Sequence, residues 1–267
     1  MKLTSIIFQF FVVVCLTALS VSCSQEKKSN GFSVNHDSPE EASGNKAALS
    51  SDTLGFLTRP NGILLTGDEA HRLVPIYKLN QRERRGEISY FTGQNSFHFS
   101  YNELGNDKNN NWNRNFMPGF EAMYGYKMVN VQHHHTGTKQ SKQLFSKPVL
   151  INTLYYPTFS KDTLNNLPVR RNYMMVSAYT EDTNQDGVLD RKDLRRFLLF
   201  DMEGQMLDHL VPVNYSVRSS QYDPANDYMY VYAVLDENKN GHHDETEEVH
   251  VFWIDLKQPE NRGRMYE

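Results

Sequence analysis

Apolar residues in most of this chain fall into short runs between turn-forming residues, without a helical period. Tyr173-Met174-Met175-Val176-Ser177-Ala178-Tyr179, Tyr228-Met229-Tyr230-Val231-Tyr232-Ala233-Val234-Leu235 and Val249-His250-Val251-Phe252-Trp253-Ile254 are aromatic and β-branched. Such side chains fit a pleated, half-buried surface, and these runs predict strands. Further strands are predicted over 62–66, 73–79, 87–91, 96–101, 124–132, 149–155, 194–200, 205–211 and 216–222. Turns are signalled by Pro60-Asn61-Gly62, Asp201-Met202-Glu203-Gly204 and Asp223-Pro224-Ala225-Asn226-Asp227. One stretch reads two ways: 191–200 also suits a helix, because Asp190 is placed to cap it. The Asn-rich stretch 102–115 predicts a long exposed loop. The fold class expected is all-β, built from antiparallel meanders.

Two units in this pattern repeat as strand, acidic loop, strand. Asp182 and Asp236 stand 54 positions apart, with two further predicted strands between them. That period resembles one blade of a β-propeller. The resemblance covers only the part of the chain from the first unit onward. The N-terminal half shows no such repeat, so an irregular antiparallel sandwich with two loop-bearing hairpins fits as well.

The first 22 residues read as a targeting segment. Lys2 provides a positive start, and residues 6–19 are apolar apart from Gln9, Cys15 and Thr17. That stretch is too short for a spanning helix and suits a secretory signal. It ends in Ser20-Val21-Ser22-Cys23, which resembles a bacterial lipoprotein signal. The resemblance implies cleavage before Cys23 and lipid on its sulfur. Ser20 departs from the leucine usual at its position. Residues 23–52 are rich in Ser, Asn, Glu, Lys, Gly and Ala and predict a flexible tether, leaving 53–267 as the folded domain. No aspartate follows Cys23, which points to the outer membrane, on either face.

Composition narrows the chemistry. The only cysteines are Cys15 and Cys23. The mature chain is therefore expected to have no disulfide, no thiol nucleophile and no cysteine-bound zinc. With 28 Lys and Arg against 32 Asp and Glu, the net charge is −4 and nucleic acid is not an expected partner.

The acidic loops carry the strongest chemical signal. The first is Asp182-Thr183-Asn184-Gln185-Asp186-Gly187-Val188-Leu189-Asp190-Arg191-Lys192-Asp193, and the second is Asp236-Glu237-Asn238-Lys239-Asn240-Gly241-His242-His243-Asp244-Glu245-Thr246-Glu247. Both resemble the calcium loop of EF-hand proteins, with oxygen side chains at loop positions 1, 3, 5, 9 and 12 and glycine at the sharp turn. The resemblance implies calcium ligands at Asp182, Asn184, Asp186, the Val188 carbonyl, Asp190 and Asp193. In the second loop it implies Asp236, Asn238, Asn240, the His242 carbonyl, Asp244 and Glu247. Asp193 is one methylene shorter than the glutamate preferred there, and His243 replaces an apolar residue. Aromatic strands rather than helices are expected to flank both loops, and their spacing is too wide for a dockerin. Two structural calcium ions are therefore expected.

Other signals are weaker. In His133-His134-His135 only the outer two share a strand face, and a metal there needs ligands from elsewhere, so a polar strand end is the expected reading. There is no nucleophile elbow, phosphate loop or dinucleotide fingerprint. A glycosidase carboxylate pair leaves no local signature. Tyr124, Tyr126, Tyr155, Tyr156, Tyr228, Tyr230 and Tyr232 suit packing better than glycan stacking, and Trp112 suits an exposed contact. The function expected is a calcium-stabilised, lipid-anchored envelope protein acting as a non-enzymatic accessory or interaction module, with a protein or glycan partner. The competing readings are an envelope carbohydrate-active hydrolase and a glycan- or peptide-binding propeller.

Overall fold

The structure is a computed structural model that describes residues 31–34, 56–92, 97–99 and 117–266. The signal segment, Cys23, most of the expected tether, most of the Asn-rich loop with Trp112, and the Tyr126 side chain lie outside the described residues.

The protein is all-β, and every described strand pair is antiparallel. In chain order the strands are β1 (Phe32–Ser33), β2 (Thr58–Pro60), β3 (Leu64–Leu65), β4 (His71–Arg84), β5 (Glu87–Thr92), β6 (Phe97–Phe99) and β7 (Phe120–His135). They continue with β8 (Ser141–Gln143), β9 (Leu150–Pro157), β10 (Asp162–Leu164), β11 (Leu167–Val169), β12 (Tyr173–Tyr179), β13 (Val188–Leu189) and β14 (Arg195–Asp201). The last are β15 (Met206–His209), β16 (Tyr215–Asp223), β17 (Tyr228–Leu235), β18 (Val249–Asp255) and β19 (Arg262–Arg264).

The strands form one eleven-stranded sheet and one four-stranded sheet, with two small pairs, β1–β13 and β10–β11. The large sheet follows the path β15-β14-β12-β9-β7-β4-β2, with β3 and β5 added on β4, and β6 and β8 on β7. The four-stranded sheet runs β16-β17-β18-β19, the up-and-down order of one propeller blade. The rest of the chain is not divided in that way. Strand β12 is bonded on both edges, to β9 and β14, so the first repeat unit lies inside a continuous sheet. The repeat seen in sequence holds at the level of the hairpin. β12 and β14 pair across the first loop, and β17 and β18 pair across the second.

Residues 191–200 are not helical. Asp190 accepts from the Lys192 amide in a tight turn, and β14 then pairs along the whole of β12.

Every residue of β12 is buried, which explains its unbroken apolar run. Alternation sends Tyr173 and Met175 to one face, and Met174, Val176 and Ala178 to the other. The first face packs against Val217 of β16, Met229, Val231 and Ala233 of β17, and Phe252 and Ile254 of β18. The second face is covered by its own sheet. Between β14 and β7 lie three strand steps, roughly 14 Å in a flat sheet. Yet a Cβ on Gly204, in the turn just past β14, would sit 3.3 Å from the Cβ of His133 in β7. The sheet therefore coils over itself and encloses Leu73, Met128, Val131, Leu154 and Phe200.

Strand β1 belongs to the stretch expected to be tether. Phe32 is buried against Ile76, Val129, Leu150, Tyr179 and Leu189, with the Phe56 ring tilted against it at 5.0 Å. Residues 31–34 are thus part of the packed domain.

Candidate functional site

The two acidic loops occupy matching places, one between β12 and β14 and the other between β17 and β18. Each turns through two left-handed residues at the same loop positions. These are Gln185 (φ 57°) and Gly187 (φ 81°) in the first, and Lys239 (φ 57°) and Gly241 (φ 71°) in the second. Left-handed backbone disfavours a residue with a Cβ. Backbone amides turned toward acidic side chains offset that cost here.

The amides find the same partners in both loops. Asp182 accepts from the amides of Asp186 (3.2 Å) and Gly187 (2.8 Å), and Asp236 from those of Asn240 (3.1 Å) and Gly241 (3.2 Å). Asn184 Oδ1 accepts from Asp186, and Asn238 Oδ1 from Asn240. Asp186 accepts from Val188, and Asn240 Oδ1 from His242. The terminal carboxylates close each loop. Asp193 accepts from the amides of Thr183 and Asp190, and Glu247 from those of Glu237 and Asp244. The carboxylates thus bond their own loop's backbone amides, Asp190 accepts from the Lys192 amide, and among the described residues no three carboxylates of either loop bring oxygens within 4.8 Å of one another. In the second loop Asp244 also accepts from the side-chain amides of Asn238 and Asn240.

Charge is concentrated by this arrangement. Asp193 is fully buried, and burial, with the nearby Asp182 charge adding to it, pushes its carboxyl up against the lowering effect of three backbone amides. The donor set is all oxygen and rich in carboxylate, which suits a hard cation such as Ca²⁺. Asp182, Asn184, Asp186, Asp190, Asp193 and the Val188 carbonyl are the groups that would hold one ion. Asp236, Asn238, Asn240, Asp244, Glu247 and the His242 carbonyl would hold the other.

The loops also touch each other, which no sequence signal indicates. The Thr183 hydroxyl donates to the Gly241 carbonyl at 2.5 Å, and His242 Nδ1 lies 2.6 Å from the Lys192 carbonyl. EF-hands pair through position 8, but here Leu189 at that position pairs with Phe32 of β1. At the same position in the second loop, burial lowers the pKa of His243, and its Nδ1 is buried without a hydrogen-bond partner.

The two glycines separate backbone strain from loop packing. A Cβ at Gly187 meets nothing within 4 Å, whereas one at Gly241 would sit 1.9 Å from the Thr183 carbonyl oxygen. Gly187→Ala is expected to cost only the left-handed strain, about 1–2 kcal/mol. Gly241→Ala should cost distinctly more because the loops must also part. Chemical denaturation of the two variants measures the difference, and equal losses would refute the docking.

A cavity of about 190 Å³ opens between the sheets, lined in part by Tyr124, Tyr155, Ser177, Arg195, Arg218 and Ser219. It sits where two ladders slip, at Ser177/Ala178 and at Val217/Ser219. The described lining contains no Asp or Glu, so a glycosidase carboxylate pair is not placed there. Buried Glu121 instead accepts from the hydroxyls of Tyr156 (2.6 Å) and Thr158 (3.0 Å). Tyr155 and Tyr156 are core residues, whereas Tyr228, Tyr230 and Tyr232 stand half-exposed on the outer face of β17, with Tyr228 stacked on Trp253.

No protein-family model matches this chain, and no curated protein sequence matches it.

Proposed function

We propose that this chain is a calcium-stabilised lipoprotein of a bacterial cell envelope. Lipid on Cys23 holds it at the membrane, and it acts as a non-enzymatic accessory or interaction module for an envelope protein or glycan. The observation that carries the metal reading is the equivalence of the loops. Two segments 54 positions apart share the Asp-x-Asn-x-Asp/Asn-Gly pattern, one set of amide-to-side-chain bonds and one pair of left-handed residues. Chance turns have no reason to agree at both levels. A cation in each relieves carboxylate repulsion and fixes a hairpin end that otherwise costs loop entropy. The second loop further braces the first, which is the contact surface for β1 and thus for the chain leading to the anchor.

The membrane reading rests on the N-terminal segment. The full-length protein is expected to sediment with membranes and to incorporate labelled fatty acid, and Cys23→Ala to do neither. Calorimetric titration of the same protein with calcium is expected to give two ions per chain. Unchanged membrane association of Cys23→Ala would remove the anchor, and no calcium uptake at millimolar concentration would remove the metal.

A further inference from the structure

We propose that His71, His135 and Glu203 form a second kind of metal site, for a divalent first-row transition ion such as Zn²⁺, with His133 orienting His71. This inference does not depend on the calcium reading, because it uses other residues and another ligand chemistry.

The strand register builds the site. His71, the first residue of β4, lies directly opposite His135, the last of β7, and Leu73 lies opposite His133. Residues two apart on a strand share a face. His71, His133 and His135 therefore face the same way, while His134 faces the other and bonds the Ser141 hydroxyl at 2.7 Å. The missing ligand comes from far along the chain. Coiling of the large sheet brings the β14–β15 turn over this corner, so that Glu203 Oε1 lies 3.8 Å from His71 Nε2. One ligand atom from each of His71, His135 and Glu203 lies within 4.8 Å of the other two.

These separations suit an ion better than direct bonds. At 3.8 Å, neither Glu203 nor Asp68 is close enough to hydrogen-bond His71 Nε2. Metal–ligand bonds of about 2.0–2.2 Å in a tetrahedron put ligand atoms roughly 3.3–3.6 Å apart. A small inward rotation closes that gap, and Glu203, exposed at a turn tip, has the freedom to make it. His71 is already fixed. It is buried, and its Nδ1 lies 2.8 Å from His133 Nε2. With the proton on His71 Nδ1 donated to His133, His71 Nε2 presents its lone pair to the gap, which is how outer partners orient metal-binding histidines.

His135 has to adjust. Its Nδ1 accepts from the amides of Gly137 (3.1 Å) and Thr138 (3.2 Å). Binding through Nδ1 replaces these exposed bonds, and binding through Nε2 moves the ring proton to Nδ1, which then no longer accepts from them. Either way the Gly137 and Thr138 amides report the event. Two imidazoles and one carboxylate select a borderline ion over calcium, and three protein ligands leave a position for water.

The test is a zinc titration of the full-length protein in detergent, stripped of metal and then kept in excess calcium, read by competition with a chromophoric chelator. One zinc ion per chain is expected beyond the calcium. Cobalt in its place should give the visible bands of a tetrahedral nitrogen–oxygen site. Glu203→Gln and His135→Gln, both at exposed or half-exposed positions, should abolish binding. His133→Gln should weaken it about 10- to 100-fold. His134→Gln should leave it unchanged. Absence of micromolar zinc binding, or binding by Glu203→Gln or His135→Gln as tight as by the unchanged protein, overturns the proposal.

Discussion

Calcium added to the chelated protein is expected to raise its melting temperature by about 10–20 °C, from the dissociation constants of extracellular calcium modules and the size of the domain. A site of about 10⁻⁴ M dissociation constant at ~100-fold excess calcium stabilises the folded state by ~2.7 kcal/mol. Two such sites give roughly 5 kcal/mol, and a domain of this size shifts by roughly 2–4 °C per kcal/mol. The structural reason lies in the loops. Asp193 is buried beside the Asp182 charge, and in the second loop Asp244 accepts from the side-chain amides of Asn238 and Asn240. On the proposed reading these groups would repel without a cation and would become ligands with one.

Contact between the loops sharpens this expectation. Asp182→Asn and Asp236→Asn each remove a carboxylate from one loop, but Thr183 and His242 couple that loop to its neighbour. Each variant should therefore lose more than half of the calcium-dependent rise. Magnesium at the same concentration should reproduce little of it, because it demands a tighter octahedron. Differential scanning calorimetry with and without chelator decides the matter. A melting temperature that ignores both calcium and chelator would end the calcium reading and leave the zinc proposal standing.

What the sequence discloses here is what is local. Strands predicted at 173–179 and 228–235 are found as Tyr173–Tyr179 and Tyr228–Leu235, because side chains on a half-buried strand announce themselves. The small hairpin β10–β11 also has a local signal. Asn165 and Asn166, both left-handed, make the two-residue turn such a pair favours. The candidate calcium ligands were legible because each loop holds a full set of them. The contacts that set the architecture join distant residues: Thr183 with Gly241, His71 with Glu203, Phe32 with Leu189. Neither propensity nor periodicity reports such pairs. The histidine run shows the limit most clearly. Sequence reasoning asked for ligands from elsewhere in the chain, and only the coiled sheet names candidates for them.

The largest loss expected from a substitution outside the loops is at Arg171 and Asp227, where either single change should cost about 3–5 kcal/mol. Both side chains are about 97% buried, since 3% of each remains exposed. The guanidinium grips Asp227 through two bonds, of 3.1 and 2.8 Å. It also donates to the carbonyls of Pro118 and Leu256, which engages all five of its N–H groups. Pro118 precedes β7 in the large sheet, whereas Asp227 and Leu256 flank strands of the small one. One arginine thus ties the two sheets together at a single corner. Tyr222 donates to Asp227 as well, and burial, followed by the Asp227 charge, keeps that phenol protonated. Asp227→Asn keeps a residue that tolerates the left-handed backbone there (φ 59°) but removes the charge, leaving a buried cation without its counter-ion. Arg171→Met strands the carboxylate in the same way. Combined, the two changes remove both partners of the pair, so their joint cost should fall below the sum of the single costs by about 0.5–3 kcal/mol. A double-mutant cycle in denaturant measures that difference. Additivity within about 0.5 kcal/mol would mean that the two side chains act separately. The coupling should be the same with or without chelator, because the corner it braces shares no residue with either loop.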